Sequence, residues 1–481
     1  MEGDCMSANK KVHIIAGGTV FHIAPHLALA APAYGKVGQQ LIELCGEIMT
    51  GLDGELHATK MAVGHGVLET NADVAELIAK LKADAATKII FMPVALCDFE
   101  VTKIDRPNNK MSMMGAVDVG KQRDRLRTSE GYHELTLRPA DKIIPTIRNG
   151  RKDIFLVGFK TTSGATEDEQ YIAGLNLLKG SSCNLVLAND LKTRVNMIIT
   201  PEEARYHVTT NRDVVLRNLV EMTKLRSHLT FTRSTVIAGE SVPWTSDLVP
   251  ATLRKVVDHC IAKNAYKPFR GATVGHFAAK LPSCSTCKGT GTRSRDARDA
   301  GLPPVGGYTC RTCHGKQVFL TSKRKTNFND LDKLGLVRIE TDGPDTVLAY
   351  GAKPSVGGQS QRIVFSEHPE YDCIVHFHCP LKPCMGCHRK DWACACNRTL
   401  GRSTIPVVSQ REYECGSHQC GANTSRGLKK FGNLSAVFLD QHGPNIVFHH
   451  SIDPQEVINF IDANFDLAAK TGGYVELGAQ L

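Results

Sequence analysis

Four apolar runs punctuate the first 190 residues, and three of them close on a turn or polar position. Residues 10–19 end in Gly17-Gly18-Thr19, 88–96 run into Cys97-Asp98, 153–159 end at Phe159, and 184–190 end at Asn189-Asp190. Each run has strand length and little polar content, which predicts strands buried on both faces. Helical periodicity lies between them. Val37, Leu41, Leu44, Cys45 and Ile48 share one face of 35–48, and 70–82 is a second helix with Thr70 or Asn71 as its cap. Strands alternating with helices predict a parallel, Rossmann-like sheet. Ligands of such sheets sit at the carboxyl ends of the strands. Gly17, Gly18, Asp98, Phe159, Asn189 and Asp190 fall at those ends, and a Gly-Gly turn there can approach a phosphate or serve only as a turn.

The chain has 481 residues, enough for two to four domains, with 42% hydrophobic and 22% charged residues. Its net charge of +9 is spread rather than blocked. That suits anionic small molecules such as nucleotides or phosphates and gives no nucleic-acid signature. The absence of an apolar run of membrane-spanning length predicts no transmembrane helix. The opening residues 1–5 are acidic and lack a signal-peptide core, which predicts a cytoplasmic protein.

A second organising stretch is 371–378, where Cys373 to Val375 reads as a buried strand leading to His376 and His378. Residues two apart on a strand point to one face, so the two imidazoles can grip one ion. His442, directly after the apolar run 436–439, supplies a third. Three imidazoles with one open position is the arrangement of catalytic zinc. The other reading is a pair of histidines at a strand end.

Twelve of the seventeen cysteines fall between Cys284 and Cys420. Cys284, Cys287, Cys310 and Cys313 form two Cys-x-x-Cys knuckles, which predicts a closed, structural tetrathiolate zinc site in an inserted finger over 282–316. Cys384, Cys387, Cys394 and Cys396 could hold a further zinc, with Cys415 and Cys420 as alternates and free buried thiols as the competing reading. The first group also resembles half of the zinc hairpin of Hsp40 co-chaperones, which implies either a protein partner or a stapled loop.

The N-terminal segments, in their order and spacing, resemble phosphopantothenoylcysteine synthetase, the nucleotide-activated ligase of coenzyme A biosynthesis. The resemblance rests on 16–19, 34–38, 93–99, 134–137, 156–159 and 187–190. It implies a flap closing over CTP or ATP, a pocket lined by Asp98, Phe159 and Asn189, and pairing into a homo-oligomer. Alanine stands where the family carries its asparagine, in 27–34, and the flap lysines are replaced near Arg125 and Arg127.

The C-terminal half resembles the class II aldolase and adducin family. The matching segments are 275–281, 320–323, 353–355, 368–378, 404–408 and 439–443. The resemblance implies an α/β/α sandwich, zinc on His376, His378 and His442, a phosphorylated substrate whose enediolate the zinc stabilises, and anion contacts from Lys323, Arg324 and Ser355. The family's acid/base glutamate has no counterpart, since 356–359 reads Val-Gly-Gly-Gln, and His276 replaces an asparagine that contacts phosphate.

These readings predict a nucleotide-binding domain over 1–235, a linker over 236–250 and an aldolase-like domain over 251–481. Two functions follow. One is a two-module zinc-dependent lyase acting on a phosphorylated or nucleotide-linked small molecule. The other is a non-catalytic interaction protein that reuses both folds with zinc as a structural element. No residue is assigned as catalytic.

Overall fold

The computed structural model describes residues 10–105, 119–122, 125–281, 292–293, 308–309, 316–343, 345–382 and 405–471. The chain divides into two compact units, and the main division falls between Ser227 and His228.

The first unit is built on a seven-stranded sheet. Its order is Arg205–Thr209, Asn196–Ile199, Leu185–Asp190, Phe155–Thr162, Thr87–Met92, Lys11–Ala16 and Asp53–Ala58. The last five strands run parallel. The helix Lys36–Ile48 packs so closely on this sheet that a Cβ on Gly38 would lie 2.3 Å from the Ala16 side chain. The helix Asn71–Ala83 starts in a capping box: Thr70 accepts from the Asp73 amide while the Asp73 carboxylate accepts from the Thr70 amide.

Several strands had no apolar signature in the sequence. Asp53–Ala58, reading Asp-Gly-Glu-Leu-His-Ala, is an edge strand with only one large apolar side chain. The chain after the last parallel strand holds Arg205–Thr209, paired antiparallel with Asn196–Ile199. Asn196–Ile199 is fully buried but has only four residues, too few to show a period. Two further antiparallel pairs, Val20–Ala24 with Leu27–Ala30 and Phe99–Asp105 with Glu134–Pro139, form two-stranded sheets of their own.

The second unit holds a ten-stranded sheet with the path Arg233–Ile237, Thr346–Tyr350, Val337–Thr341, Val318–Thr321, His276–Leu281, Cys373–His376, Gly443–Phe448, Leu434–Leu439 and Val407–Val408. Lys429–Phe431 pairs off this path with Leu434–Leu439. Most neighbours are antiparallel, and strand alternation sends side chains to two separate cores. Phe277, Ala279, Cys373, Val375, Ile446 and Phe448 pack against the helices Ala251–Ala262 and Pro454–Asn464. Ala278, Ile374 and Val447 pack on the other face against Val364 and Phe365 of the helix Val356–Glu367. Helices on both faces make this an α/β/α sandwich.

Two strands, Ala272–Thr273 and His276–Leu281, are separated by Gly275, whose φ is 116° and whose added Cβ would lie 2.6 Å from the His376 carbonyl oxygen. The strand at 371–378 stops at His376, so His378 lies beyond it. The last helix spans Pro454–Asn464.

Candidate functional site

The histidine cluster is assembled by three neighbouring strands. His376 ends Cys373–His376, opposite His276 on one side and Asn445 on the other. The Leu434–Leu439 strand turns through His442 into Gly443–Phe448. Gly443 makes this crossing possible, because a Cβ there would fall 2.1 Å from the Phe377 carbonyl oxygen. His378 arrives through the chain beyond the strand rather than through the same-face rule. One ring nitrogen from each of His376, His378 and His442 lies within 4.8 Å of the other two. All three residues are buried.

His376 Nδ1 donates to the Pro444 carbonyl at 2.7 Å, which leaves its Nε2 with the lone pair. That Nε2 lies 3.1 Å from His442 Nε2. Burial pushes the His376 imidazole down to about 4, only partly opposed by the Pro444 carbonyl. It is therefore neutral at physiological pH, the form that binds a metal. The donor set fits zinc: three imidazoles, one fixed in its tautomer by a backbone carbonyl, converging in the interior.

The surroundings bring in His276, named above only for the asparagine it replaces, and residues that motif reading did not supply. His276 stacks on His376 at 4.6 Å between ring centroids. Burial, and then the neighbouring His376, push its imidazole well below the ordinary range. Gln361 reaches the His276 ring from the helix Val356–Glu367. The position where a glutamate would stand is the first turn of that helix. Gly357 approaches so closely that a Cβ would lie 1.9 Å from His276 Cδ2. A small cavity beside the cluster is lined by His276, Gln361, His376, Cys415, His442 and Asn445, among others, and no carboxylate is among the described residues that line it. His276 was findable as the register partner of His376. Gln361 and Asn445 carried no signal, because each comes from a separate element.

The candidate anion residues also meet. The Ser355 amide donates to the Ser322 carbonyl, and the Arg324 amide donates to the Lys353 carbonyl, both within 3.0 Å. The Lys323 ammonium donates to the Leu334 carbonyl, and burial lowers its pKa. Lys323 is therefore already engaged inside the fold.

In the first unit, Gly17 and Gly18 lie at the carboxyl end of Lys11–Ala16, next to the end of Thr87–Met92. Thr19 ties these ends together: its hydroxyl accepts from the Cys97 amide at 2.8 Å and donates to Asn71 Oδ1 at 2.7 Å. Both glycines are required by the protein itself. A Cβ on Gly17 would lie 2.1 Å from Thr59 Oγ1, and one on Gly18 would lie 2.0 Å from the Ala31 carbonyl oxygen. Asp98 is exposed and pairs with Lys142 at 2.9 Å. Phe159 and Asn189 sit on the two adjacent parallel strands, where Asn189 Oδ1 accepts from the Thr161 hydroxyl. Asp190 is committed to its own turn. The Thr193 amide, with the amides of Ala165 and Gly164, holds its carboxyl well below the usual range.

Cys284, Cys287, Cys310, Cys313, Cys384, Cys387, Cys394 and Cys396 lie outside the described residues. Cys415 and Cys420 are described; Cys420 is buried and contacts Gln410.

Residues 304–453 match the Class II Aldolase and Adducin N-terminal domain family. On the other side, the coenzyme A biosynthesis bifunctional protein CoaBC of Thermococcus kodakarensis is 26% identical over 188 residues, 38% of this chain and 42% of that protein. The chain thus spans less than half the length of that relative. Among solved structures, the DNA/pantothenate metabolism flavoprotein from Streptococcus pneumoniae aligns over 44% of this chain and 97% of its own, with 17% identity and a TM-score of 0.38. The Escherichia coli protein YgbL, described as a candidate aldolase/epimerase/decarboxylase, aligns over 44% of this chain and 84% of its own, with 15% identity and a TM-score of 0.24. The chain carries two modules, one like phosphopantothenoylcysteine synthetase and one like class II aldolases. No helix among the described residues is long and apolar enough to cross a membrane.

Proposed function

We propose that this chain is a two-module metalloenzyme. Its aldolase-like module uses zinc on His376, His378 and His442 for lyase or epimerase chemistry on a phosphorylated or nucleotide-linked small molecule. Its other module holds CTP or ATP at the carboxyl edge of the parallel sheet. The observation that carries this reading is the convergence of three buried histidine nitrogens within 4.8 Å, with His376 fixed through Pro444. Zinc, when bound, polarises a carbonyl oxygen. The chain's own part is to orient His376 through Pro444, cover one face of that ring with His276, and keep the cluster buried. Arg324 and Ser355 are the candidates for a phosphate, with Lys323 available once it leaves the Leu334 carbonyl. The inserted finger is a candidate for binding a protein partner, and the ligase-like module for pairing copies of the chain.

The carboxylate-free cavity favours a second reading, in which the metal is structural and the protein serves interaction. Metal removal separates the two. The enzyme reading expects several zinc per chain by elemental analysis. One of these should leave on mild chelation, without unfolding the chain, and return on adding zinc. Zinc that leaves only as the chain unfolds would support the structural reading instead.

The nucleotide module has its own test. A ligand bound only by the folded state at 100 times its Kd stabilises by about 2.7 kcal/mol. CTP or ATP at that ratio should raise the melting temperature of the first unit by roughly 5–10 °C, at about 2–4 °C per kcal/mol for a unit of this size. A melting curve unmoved by either nucleotide removes this module from the mechanism.

A further inference from the structure

The first unit contains a second convergence of ligating side chains, on its neighbouring strands Lys11–Ala16 and Asp53–Ala58. Glu55 is the register partner of His13 on the neighbouring parallel strand. His57, two residues on, faces the same side as Glu55. His13 Nδ1 lies 3.1 Å from His57 Nε2 and 3.4 Å from Glu55 Oε2, and His57 Nε2 lies 3.8 Å from that same oxygen. Two ligands on one tetrahedral ion are separated by about 3.3–3.4 Å when the bonds are ~2.0–2.1 Å long. The three observed separations bracket that value.

The supporting contacts aim these atoms inward. His13 Nε2 meets the Thr87 hydroxyl at 3.2 Å, which turns Nδ1 toward the cluster. Lys11 Nζ holds the other carboxylate oxygen, Glu55 Oε1, at 3.0 Å, so Oε2 is left to the histidines. This is the outer-shell arrangement that fixes tautomer and orientation around metal ligands. His13 is 1% exposed, while His57 and Glu55 are 22% and 42% exposed, so an ion has a route in from solvent.

We propose that His13, Glu55 and His57 form a divalent transition-metal site that joins the edge strand Asp53–Ala58 to Lys11–Ala16. Two imidazoles and one carboxylate suit zinc, cobalt or nickel, and not magnesium or calcium, which take oxygen ligands. The site is independent of the aldolase-like histidines and of the proposed lyase function.

The test uses the full chain, stripped with a chelator and dialysed against zinc. The expected result is that His57→Gln holds one zinc fewer per chain than the parent and that Glu55→Gln binds that zinc at least tenfold more weakly. His376→Ala should lose a different equivalent, so that His57→Gln combined with His376→Ala loses two. Both altered side chains in the first unit are partly exposed, and circular dichroism should confirm the parent fold. If His57→Gln does not fold, Glu55→Gln alone decides. Undiminished zinc content and affinity in the folded variants would overturn the proposal and leave the three residues as a hydrogen-bonded network. Failure of the His376→Ala arm alone would count against the lyase reading and not against this site.

Discussion

Replacing His442 with alanine is expected to remove one zinc equivalent from the chain and leave the rest in place. Three protein nitrogens are the minimum that an open zinc site offers, and His442 is the one contributed by the hairpin between Leu434–Leu439 and Gly443–Phe448. Losing only an outer-shell partner costs about 10–100-fold in metal affinity. Losing a ligand should cost at least that, so zinc that survives dialysis in the parent is lost from the variant. Cysteine-held zinc is expected to stay, because His442 is not among its candidate ligands. His442 is almost fully buried, so a stability control is needed. With zinc present the parent should melt higher than His442→Ala, and after complete metal removal the difference should shrink. A variant that keeps its full zinc content would show that the three rings pack together without holding an ion.

The His-x-His pair and the third histidine were legible as a pattern, but the reason they meet was not. The same-face argument places His376 correctly on its strand and fails for His378, which lies past the strand end. What brings His378 in is the close crossing of Gly443 over the Phe377 carbonyl, a contact between residues far apart in the chain. The apolar runs of both sheets were legible because strands buried on both faces read as continuous hydrophobic stretches. Asp53–Ala58 was not, because an edge strand needs no such run, and it brought His57 beside His13 unannounced. The Gly17-Gly18 turn shows the limit from the other side. It was recognisable, but the sequence could not say whether a ligand or the protein demands glycine there. Thr59 and Ala31 occupy the space next to it.

Phe277→Ala should strongly destabilise the second unit. Phe277 is fully buried and meets Trp244, Phe328 and Tyr266 at centroid distances of 5.5, 5.2 and 6.0 Å, the first two edge-on. Removing a buried phenylalanine costs about 3–5 kcal/mol, from lost transfer free energy and the cavity left behind. The two edge-on aromatic contacts add to that in proportion to how well they are formed. At roughly 2–4 °C per kcal/mol, the second unit should melt about 6–20 °C lower. A two-unit chain need not unfold in one step. Calorimetry should therefore move one transition and leave the nucleotide-responsive one in place. Phe277→Leu keeps most of the volume and should cost less than half as much, which separates packing from any special role of the ring. Phe277 also adjoins His276, whose ring covers His376 from the opposite face of the strand. The cavity should therefore loosen the metal cluster, and zinc should dissociate faster from Phe277→Ala than from Phe277→Leu at temperatures where both remain folded. Equal zinc release from the two variants would mean that the aromatic core sets the stability of the unit but not the rigidity of the histidine cluster.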